Sequence, residues 1–463
     1  MLQLFVTSFL FIFHLKYDIL LLGDFMFKYS KNRMEIFEDS KYGYLKYSCD
    51  KFVTIDEINC DDELMQKLLN KLVVLTYYKG LNYIYCGDVD LSKYHYEKIE
   101  DFYFLERKNI KIRRFIKIGD GETGKKNNIC DVNDVCVSHF TVNDTPEFNT
   151  GITVVSPHSG NIFREKVVGA SYVFNGFGKS IGLVQIDELG TIETNIALTT
   201  TLNVGKVADA VVQNSLEENP EIGISTGTCN PVVLECNDGS LNNSRERILG
   251  RQSYRKALDD LKDDFEQGAV GAGSGMTCHG FKGGIGSSSR KVVIDGKEYT
   301  IGVLLNSNFG ESNGKNLFIN GHYMGDKIQK YLEEYEDKGS IVVVFATDLP
   351  LDERQIRRIL KRCEIGIGRT GSYAGNGSGD LFVGFTTANK VKHFNDTAIT
   401  TIERIADGYL NTVFKRTVEA VEEAVLNSML FSKHVKGYLK EVKALGEVNE
   451  IFYDLIDEVI DYE

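Results

Sequence analysis

Residues 339–346 read Gly-Ser-Ile-Val-Val-Val-Phe-Ala, which places a small hinge and a hydroxyl residue directly before an apolar run. This β-branched and aromatic run predicts a buried strand over residues 340–346. Further along, Ser378 lies in the polar stretch Asn-Gly-Ser-Gly-Asp of residues 376–380. A serine at the mouth of a buried strand is where a chain can cut itself and leave a catalytic amino terminus. The same local pattern is also typical of an ordinary turn that leads into a strand.

The composition is that of a globular α/β protein with room for two or three domains or one large layered domain. The chain has 463 residues, of which 42% are apolar, with 44 glycines and 5 prolines. Its net charge is −13 and it has no long Lys/Arg cluster, which argues against a nucleic-acid partner. The nine cysteines form no Cys-x-x-Cys pair and the eight histidines show no paired ligand spacing. We therefore expect free thiols, no metal and no cofactor.

The first 33 residues are interpreted as an apolar leader or a non-native extension. Residues 5–13 are apolar, but charged residues interrupt the pattern before residues 19–22, so neither half reaches the ~20 residues of a spanning helix. The features of a signal peptide are missing as well. A true start at Met26 or Met34, an anchor and an export signal stay open. A cytoplasmic location is the expectation, and membrane association is not expected.

Two further regions follow in the sequence. Residues 34–109 predict a small α/β appendage of unknown role, with a helix capped by Asp61-Asp62 and an apolar stripe at Leu64, Leu68, Leu69, Leu72 and Val73. Residues 110–463 mix short apolar runs with longer helical patterns, which favours stacked sheet and helix layers. Strands are predicted over residues 152–155, 169–174, 182–186, 291–294, 300–305, 340–346 and 380–386. Helices are predicted over residues 207–218, 351–363 and 401–430 and after Gly446.

Two familiar motifs match by letter but lack their required context. The Gly-x-Gly-x-x-Gly of residues 366–371 follows a helical pattern, whereas a dinucleotide-binding loop follows a strand. The Gly-x-Ser-x-Gly of residues 178–182 joins two predicted strands, whereas a nucleophile elbow leads from a strand into a helix. A hairpin turn is the favoured interpretation of residues 178–182.

An ordered set of longer segments, from about residue 110 to about residue 435, resembles the DmpA-type aminopeptidases. In the amino-terminal half they are Asn-Asn-Ile-Cys-Asp-Val at 127–132, Pro-His-Ser-Gly-Asn-Ile-Phe-Arg-Glu-Lys at 157–166, Asn-Gly-Phe-Gly-Lys-Ser at 175–180 and Glu-Leu-Gly at 188–190. In the other half they are Phe-Lys-Gly-Gly-Ile-Gly-Ser-Ser-Ser-Arg at 281–290, Gly-Ser-Ile at 339–341, Ala-Thr-Asp at 346–348, Arg-Thr-Gly-Ser at 369–372 and Gly-Asn-Gly-Ser-Gly-Asp at 375–380.

The resemblance implies a self-processing N-terminal-nucleophile hydrolase with a layered αββα sandwich, of the kind shared with ornithine acetyltransferase. By this resemblance residues 110–463 form the hydrolase, cut between Gly339 and Ser340 into an α part (110–339) and a β chain (340–463). The freed α-amine of Ser340 has an unperturbed pKa of about 7.7–8.0, so it can accept the hydroxyl proton without a histidine.

The resemblance also implies roles for further side chains. Ser378 would bond and orient the new amine, and Asp380, a glutamate in some relatives, would support it electrostatically. Asn308 matches the asparagine that donates to the oxyanion. Glu235 matches the acid that faces the substrate's amine, and Asn237 stands where a tyrosine can sit, which leaves an oxyanion role at this position open.

The implied activity is an aminopeptidase that releases amino-terminal residues from peptides, amides or esters through an acyl-enzyme on Ser340. Relatives assemble several αβ units, so a homo-oligomer is expected. Two alternatives stay open at this point. One is an amidase or acyltransferase of the same fold that acts on another amine-bearing or pantetheine-like substrate, and the other is an unprocessed binding protein.

Overall fold

The structure is a computed structural model that describes two long stretches of the chain and several short ones. The described residues are 21–22, 25–30, 33–38, 43–49, 53–60, 84–86, 97–99, 102–104, 118–328 and 339–447, with Met65, Leu68, Leu69, Leu72 and Ile116. The chain divides into two compact units, residues 1–107 and residues 108–463.

The first unit contains a six-stranded sheet in the order β1-β2-β3-β4-β5-β6. Its strands are β1 Leu21–Leu22, β2 Phe25–Ser30, β3 Arg33–Glu38, β4 Gly43–Cys49, β5 Val53–Cys60 and β6 Ile84–Cys86. A separate hairpin joins β7 Glu97–Ile99 to β8 Phe102–Phe104. Met65, Leu68, Leu69 and Leu72 are helical and buried. The predicted apolar stripe is therefore confirmed at its described positions, while Asp61, Asp62, Leu64 and Val73 lie outside the described residues.

The second unit contains sixteen strands among its described residues. They are β9 Cys136–Thr145, β10 Phe148–Ser156, β11 Glu165–Gly176, β12 Thr191–Ile192, β13 Ile196–Thr200, β14 Val232–Cys236, β15 Thr277–Cys278, β16 Phe281–Lys282, β17 Gly284–Ile294, β18 Lys297–Asn308, β19 Phe318–Ile319, β20 His322–Tyr323, β21 Ser340–Thr347, β22 Gly379–Lys392, β23 Val435–Lys436 and β24 Glu441–Val442.

Six α-helices are described in this unit. They are α1 Leu183–Leu189, α2 Val204–Glu218, α3 Arg251–Leu258, α4 Gly325–Ile328, α5 Glu353–Arg369 and α6 Leu410–Leu430. Short 3-10 turns include Thr201–Asn203, Gly271–Gly273 and Asp407–Tyr409.

Two sheets form the centre of the second unit. The large sheet has the order β12-β11-β22-β21-β18-β17 and the small sheet has the order β14-β13-β10-β9. One core cluster contains Val342, Val344 and Leu381 of the large sheet together with Leu198 and Leu234 of the small sheet, so the two sheets pack face to face. Helices cover both outer faces: α2 and α3 pack on the small sheet, and α5 and α6 pack on the large sheet. This confirms the predicted αββα sandwich.

Strand β21, which begins at Ser340, lies inside the large sheet. Every residue of β21 is buried, as expected for a continuous apolar run covered on both faces. It pairs antiparallel with β18 and parallel with β22. The predicted strands over residues 152–155, 169–174, 291–294, 300–305 and 380–386 are confirmed as parts of longer strands.

Two element predictions are wrong. Residues 182–186 are not a strand, because Leu183–Leu189 forms α1 between Gly182 and Gly190, which both adopt left-handed backbone. A short apolar run does not distinguish the two structures by periodicity alone. The helix predicted over residues 401–430 begins only at Leu410, after a 3-10 turn that contains Gly408, a poor helix former.

The predicted helix over residues 207–218 is confirmed within α2. The helix predicted over residues 351–363 is confirmed from residue 353, since Asp352 caps α5. The helix predicted after Gly446 falls on residues 448–463, which lie outside the described residues. Within the described parts of the chain, no helix combines the length and apolar character that crossing a membrane requires.

Candidate active site

Ser340 is the first residue of β21 and stands at the end of the strand between two neighbours. Asn308 is its partner on β18 and Gly379 is its partner on β22. Successive side chains of a strand point to opposite faces, so Ser340 shares a face with Val342 and therefore points toward the small sheet. Its side chain is buried, with the residue only 6% exposed. The Gly379 N–H donates to Ser340 Oγ over 3.2 Å.

Ser378 and Asp380 lie on either side of Gly379 and are joined by their side chains. Ser378 Oγ donates to Asp380 Oδ1 over 2.6 Å, and both residues are buried. Asn175 fixes this loop, because its Nδ2 donates to the carbonyl oxygens of Gly375 at 2.9 Å and of Ser378 at 2.8 Å. Asn175 belongs to the segment 175–180, and its sequence pattern predicts no such role. The structure thus brings the predicted Ser378 and Asp380 together, beside Ser340.

Gly379 lies close against another backbone segment. A Cβ at this position would lie 3.0 Å from the Phe177 carbonyl oxygen and 3.1 Å from Gly178 Cα. A side chain here would require one of the two backbones to shift by a few tenths of an ångström. The close approach of the two backbones therefore sets the position of the N–H that contacts Ser340 Oγ.

The Asn308 side chain is held in one orientation by two backbone groups. The Thr277 N–H donates to Asn308 Oδ1 over 2.9 Å, and Asn308 Nδ2 donates to the Asn237 carbonyl oxygen over 3.1 Å. The first neighbour can only donate and the second can only accept, so the positions of the amide oxygen and nitrogen are unambiguous. The Asn308 Nδ2 carries a second N–H at the strand position opposite Ser340. This donor can serve an oxyanion formed near Ser340.

Glu235 lies in β14 and its residue is only 3% exposed. Its Oε1 accepts from the Lys179 N–H over 2.8 Å, and its Oε2 accepts from Thr201 Oγ1. A Cβ on Gly178 would lie 3.6 Å from Glu235 Oε1 and 2.6 Å from Leu381 Cδ1. Gly178 therefore separates Glu235 from the start of β22. The carboxylate is near the Ser340 end of the large sheet and suits a cationic group.

The Asn237 side chain belongs to a turn instead of the site. It is exposed, and its Oδ1 accepts from the Gly239 N–H over 2.9 Å. The residue meets the site through its backbone, because its carbonyl oxygen accepts from Asn308 Nδ2. This arrangement explains how an asparagine can stand at this position without supplying a side-chain donor.

Asp238 is a buried carboxyl group that the sequence analysis missed. It accepts from Thr150 Oγ1 at 2.6 Å and from Thr200 Oγ1 at 2.5 Å. Burial raises the pKa of Asp238, and these hydrogen bonds oppose the shift. Its sequence signal, an aspartate before a glycine, is typical of any turn. Asp238 anchors the turn whose Asn237 carbonyl contacts Asn308.

Cys236 lies beside these acids but is a poor nucleophile. It is fully buried, and burial raises the pKa of its thiol while the charges of Glu235 and Asp380 raise it further. A thiol held neutral in this way is unreactive. The hydroxyl of Ser340 is therefore the better candidate in this part of the structure.

The structure also shows where the Gly-x-Ser-x-Gly and Gly-x-Gly-x-x-Gly motifs lie in the fold. Residues 178–182 connect β11 to α1, so the predicted hairpin turn between two strands is wrong. Ser180 Oγ is buried and meets no hydrogen-bonding group among the described residues, so no base activates it there. Gly366 and Gly368 lie inside α5, away from any strand-to-helix turn.

Across residues 118–328, 339–447 and the shorter described segments, no group of three or more His, Cys, Asp or Glu could hold a metal ion.

The chain matches the model of Peptidase family S58 over residues 127–442. It is 34% identical over 341 residues to a protein described as the beta-peptidyl aminopeptidase BapA of Sphingosinicella xenopeptidilytica. The match covers 69% of this chain and 84% of that relative.

Two solved structures are also similar to this chain. The PH0078 protein from Pyrococcus horikoshii OT3 is 43% identical with a TM-score of 0.71, covering 74% of this chain and 98% of that one. The L-aminopeptidase D-Ala-esterase/amidase from Ochrobactrum anthropi, described as a variant of the Ntn hydrolase fold, is 31% identical with a TM-score of 0.70. That match covers 75% of this chain and 99% of the relative.

Proposed function

Because this chain belongs to peptidase family S58 and is a serine aminopeptidase of the N-terminal-nucleophile type, we propose that Ser340 is its nucleophile. The bond between Gly339 and Ser340 is the one that is cut to activate it. The observation that carries this proposal is the position of Ser340 Oγ, 3.2 Å from the Gly379 N–H and opposite Asn308.

Self-cleavage follows from the position of the hydroxyl in the chain. Ser340 Oγ attacks the Gly339 carbonyl carbon, and the acyl group moves from the Ser340 nitrogen to its Oγ. Water then hydrolyses the ester, which leaves a carboxylate on Gly339 and a free α-amine on Ser340. The absence of a Cβ on Gly339 leaves its carbonyl accessible to this attack.

Substrate hydrolysis uses the new amine as the base. The α-amine takes the proton of Ser340 Oγ while Oγ attacks the scissile carbonyl, and Asn308 Nδ2 donates to the resulting oxyanion. The leaving amine then receives the proton, and water hydrolyses the ester on Ser340. Ser378 orients the α-amine and is itself held by Asp380, a role supported by their 2.6 Å hydrogen bond.

Glu235 selects substrates that carry a free amino terminus. Its buried carboxylate pairs with the substrate's ammonium group, which fixes the distance from that group to the scissile carbonyl. The proximity of Glu235 to the start of β22 across Gly178 supports this role. The substrates are accordingly short peptides and amino acid amides or esters, in keeping with the aminopeptidase, esterase and amidase names of the relatives.

We also propose that residues 110–339 and 340–463 form the α and β chains of the hydrolase. Exposed Val184, Leu189 and Ile224 support assembly of several processed units through apolar surface. The six cysteines of the second unit are free thiols, which supports a cytoplasmic location.

The activity is tested with aminoacyl p-nitroanilides and their N-acetylated counterparts, with and without an acceptor amine. We expect release of p-nitroaniline from the free-amine substrates only, at a rate that the acceptor does not raise. Transfer to the acceptor that outruns hydrolysis would assign the acyltransferase instead, an alternative that the aminopeptidase relatives do not favour.

A further inference from the structure

Lys282 is a fully buried lysine that the proposed mechanism does not use. Burial lowers the pKa of Lys282 to about 7 from the ordinary 10.5, and three carbonyl acceptors favour its ammonium form. It is the last residue of β16 and is 0% exposed. An ammonium group carries three N–H donors, and here each one finds a backbone carbonyl oxygen. The acceptors are those of Gly273 at 2.9 Å, Met276 at 2.8 Å and Gly283 at 2.8 Å.

One of these contacts leads directly to the site. The carbonyl of Met276 belongs to the same peptide group as the Thr277 N–H, and that N–H donates to Asn308 Oδ1 over 2.9 Å. The Lys282 ammonium is therefore linked to the Asn308 amide through a single peptide group. Asn308 lies opposite Ser340.

This order of donors and acceptors has an electrostatic consequence. A cation that donates to an amide oxygen makes the N–H of that amide a stronger donor, and chains of hydrogen bonds polarise one another in a low-dielectric interior. The effect passes from the Met276–Thr277 peptide group to the side-chain amide of Asn308. Its Nδ2 becomes a stronger donor toward negative charge.

We propose that Lys282 is a positioning residue that fixes and polarises the Asn308 amide through the Met276–Thr277 peptide group, and thereby strengthens the hydrogen bond to the oxyanion. The inference rests on the proposed function, in which Asn308 donates to that oxyanion. It concerns the transition state, since negative charge develops on the carbonyl oxygen only there.

The hairpin of β15 and β16 is built to hold this arrangement. Thr277 and Lys282 are register partners within it. Between them, the His279 N–H donates to the Phe309 carbonyl oxygen over 2.8 Å, and the His279 ring packs edge-on against Phe309 with centroids 5.2 Å apart. The hairpin is thus attached on both sides of the bond between Asn308 and Phe309, which limits movement of the Asn308 amide.

The test is a double-mutant cycle between Lys282→Met and Asn308→Ala, measured as kcat and KM on an aminoacyl p-nitroanilide. We expect Lys282→Met to lower kcat by about 10-fold with KM little changed when Asn308 is present. In the Asn308→Ala background the same change lowers kcat by less than about 2-fold, since the two residues act through one interaction. An equal loss in both backgrounds, or no loss in either, overturns the proposal.

If Lys282→Met does not fold, a second variant tests the link through the Met276–Thr277 peptide group. Replacing Thr277 by its α-hydroxy acid turns the peptide bond into an ester and removes the N–H that reaches Asn308, while Lys282 stays in place. We expect kcat to fall by about 10-fold with KM little changed. Unchanged kcat in this ester variant overturns the proposal.

A matched control and the Asn308 variant separate the possible failures. Lys166→Met removes another lysine of low exposure, whose Nζ pairs with Glu193 at 2.5 Å, and should leave kcat unchanged. If Asn308→Ala itself leaves kcat unchanged, the oxyanion role in the proposed function is wrong. If Asn308→Ala lowers kcat but Lys282→Met and the ester variant do not, only the inference about Lys282 is wrong.

Discussion

Ser378 Oγ donates a 2.6 Å hydrogen bond to Asp380 Oδ1, and the N–H of the intervening Gly379 donates to Ser340 Oγ. A single tripeptide therefore supplies the N–H that contacts the proposed nucleophile and two flanking side chains that are hydrogen-bonded to each other. The geometry depends on the parallel pairing of β21 with β22, which sets Ser340 opposite Gly379. The loop and the nucleophile are thus fixed by the same sheet.

Replacing Asp380 should test whether this hydrogen bond matters for the chemistry. Asp380→Asn removes the carboxylate that holds Ser378, so the α-amine of Ser340 loses its orientation and kcat falls by about 10²-fold. Asp380→Glu keeps the charge and should retain more activity than Asp380→Asn. Steady-state kinetics on the processed protein measures both, and equal activity of the two variants would contradict the electrostatic role.

Removing the Asn308 amide should destabilise the transition state more than it weakens substrate binding. We expect Asn308→Ala to lower kcat by about 10²–10³-fold with little change in KM, because one oxyanion donor is lost. Asn306 offers a matched control on the same strand, since it is also buried and its Nδ2 donates to the Ala272 carbonyl oxygen. Asn306→Ala should reduce thermal stability without this loss of kcat. A comparable loss of kcat in both variants would argue for a general packing defect.

Neutralising Glu235 should weaken recognition of the substrate's amino group. Glu235→Gln loses the charge-assisted contact, so KM for free-amine substrates rises by about 10–100-fold, while hydrolysis of N-acetylated substrates is unchanged or improved. Glu193→Gln is the control, because Glu193 is a buried carboxylate paired with Lys166. An unchanged KM for free-amine substrates in Glu235→Gln would exclude Glu235 as the anchor.

Stability should fall in mild acid because desolvation holds two histidines in the neutral form. Burial lowers the pKa of both His139 and His279 to about 4 from the ordinary 6.5. Between pH 6.5 and pH 4 the unfolded chain binds more protons than the folded one, so the free energy of unfolding decreases as pH falls through this range. For His279, which is fully buried, a shift of this size corresponds to about 3 kcal/mol.

Urea unfolding at several pH values checks this expectation. His279→Phe keeps the aromatic contact with Phe309 and removes one of the two titrating rings, so its stability should decline less steeply between pH 6.5 and pH 4. A decline as steep as that of the unchanged protein would show that His279 does not contribute.

The sequence pattern and the family resemblance together predicted the central strand, the layered sandwich and the residues beside Ser340. The apolar run of β21 sufficed for its burial, since a strand covered on both faces needs no alternation. Residues 183–189 could not be assigned in this way, because a short apolar segment between two glycines suits a helix or a strand.

Local sequence patterns could not predict the contacts within the site. Thr201 meets Glu235 and Thr277 meets Asn308 across separations of 34 and 31 residues. Such pairings depend on how the sheets are ordered and registered, which a single sequence does not specify. The same reason explains why Lys282 carried no signal beyond its place in a motif.

The most direct test of the nucleophile is intact-mass analysis of the purified protein and of Ser340→Ala, each followed by an aminopeptidase assay. We expect two chains for the unchanged protein, one of them beginning at Ser340, and a single uncut, inactive chain for Ser340→Ala. Cleavage before residue 340 in Ser340→Ala, full activity of that variant, or an active protein that stays in one piece would contradict it.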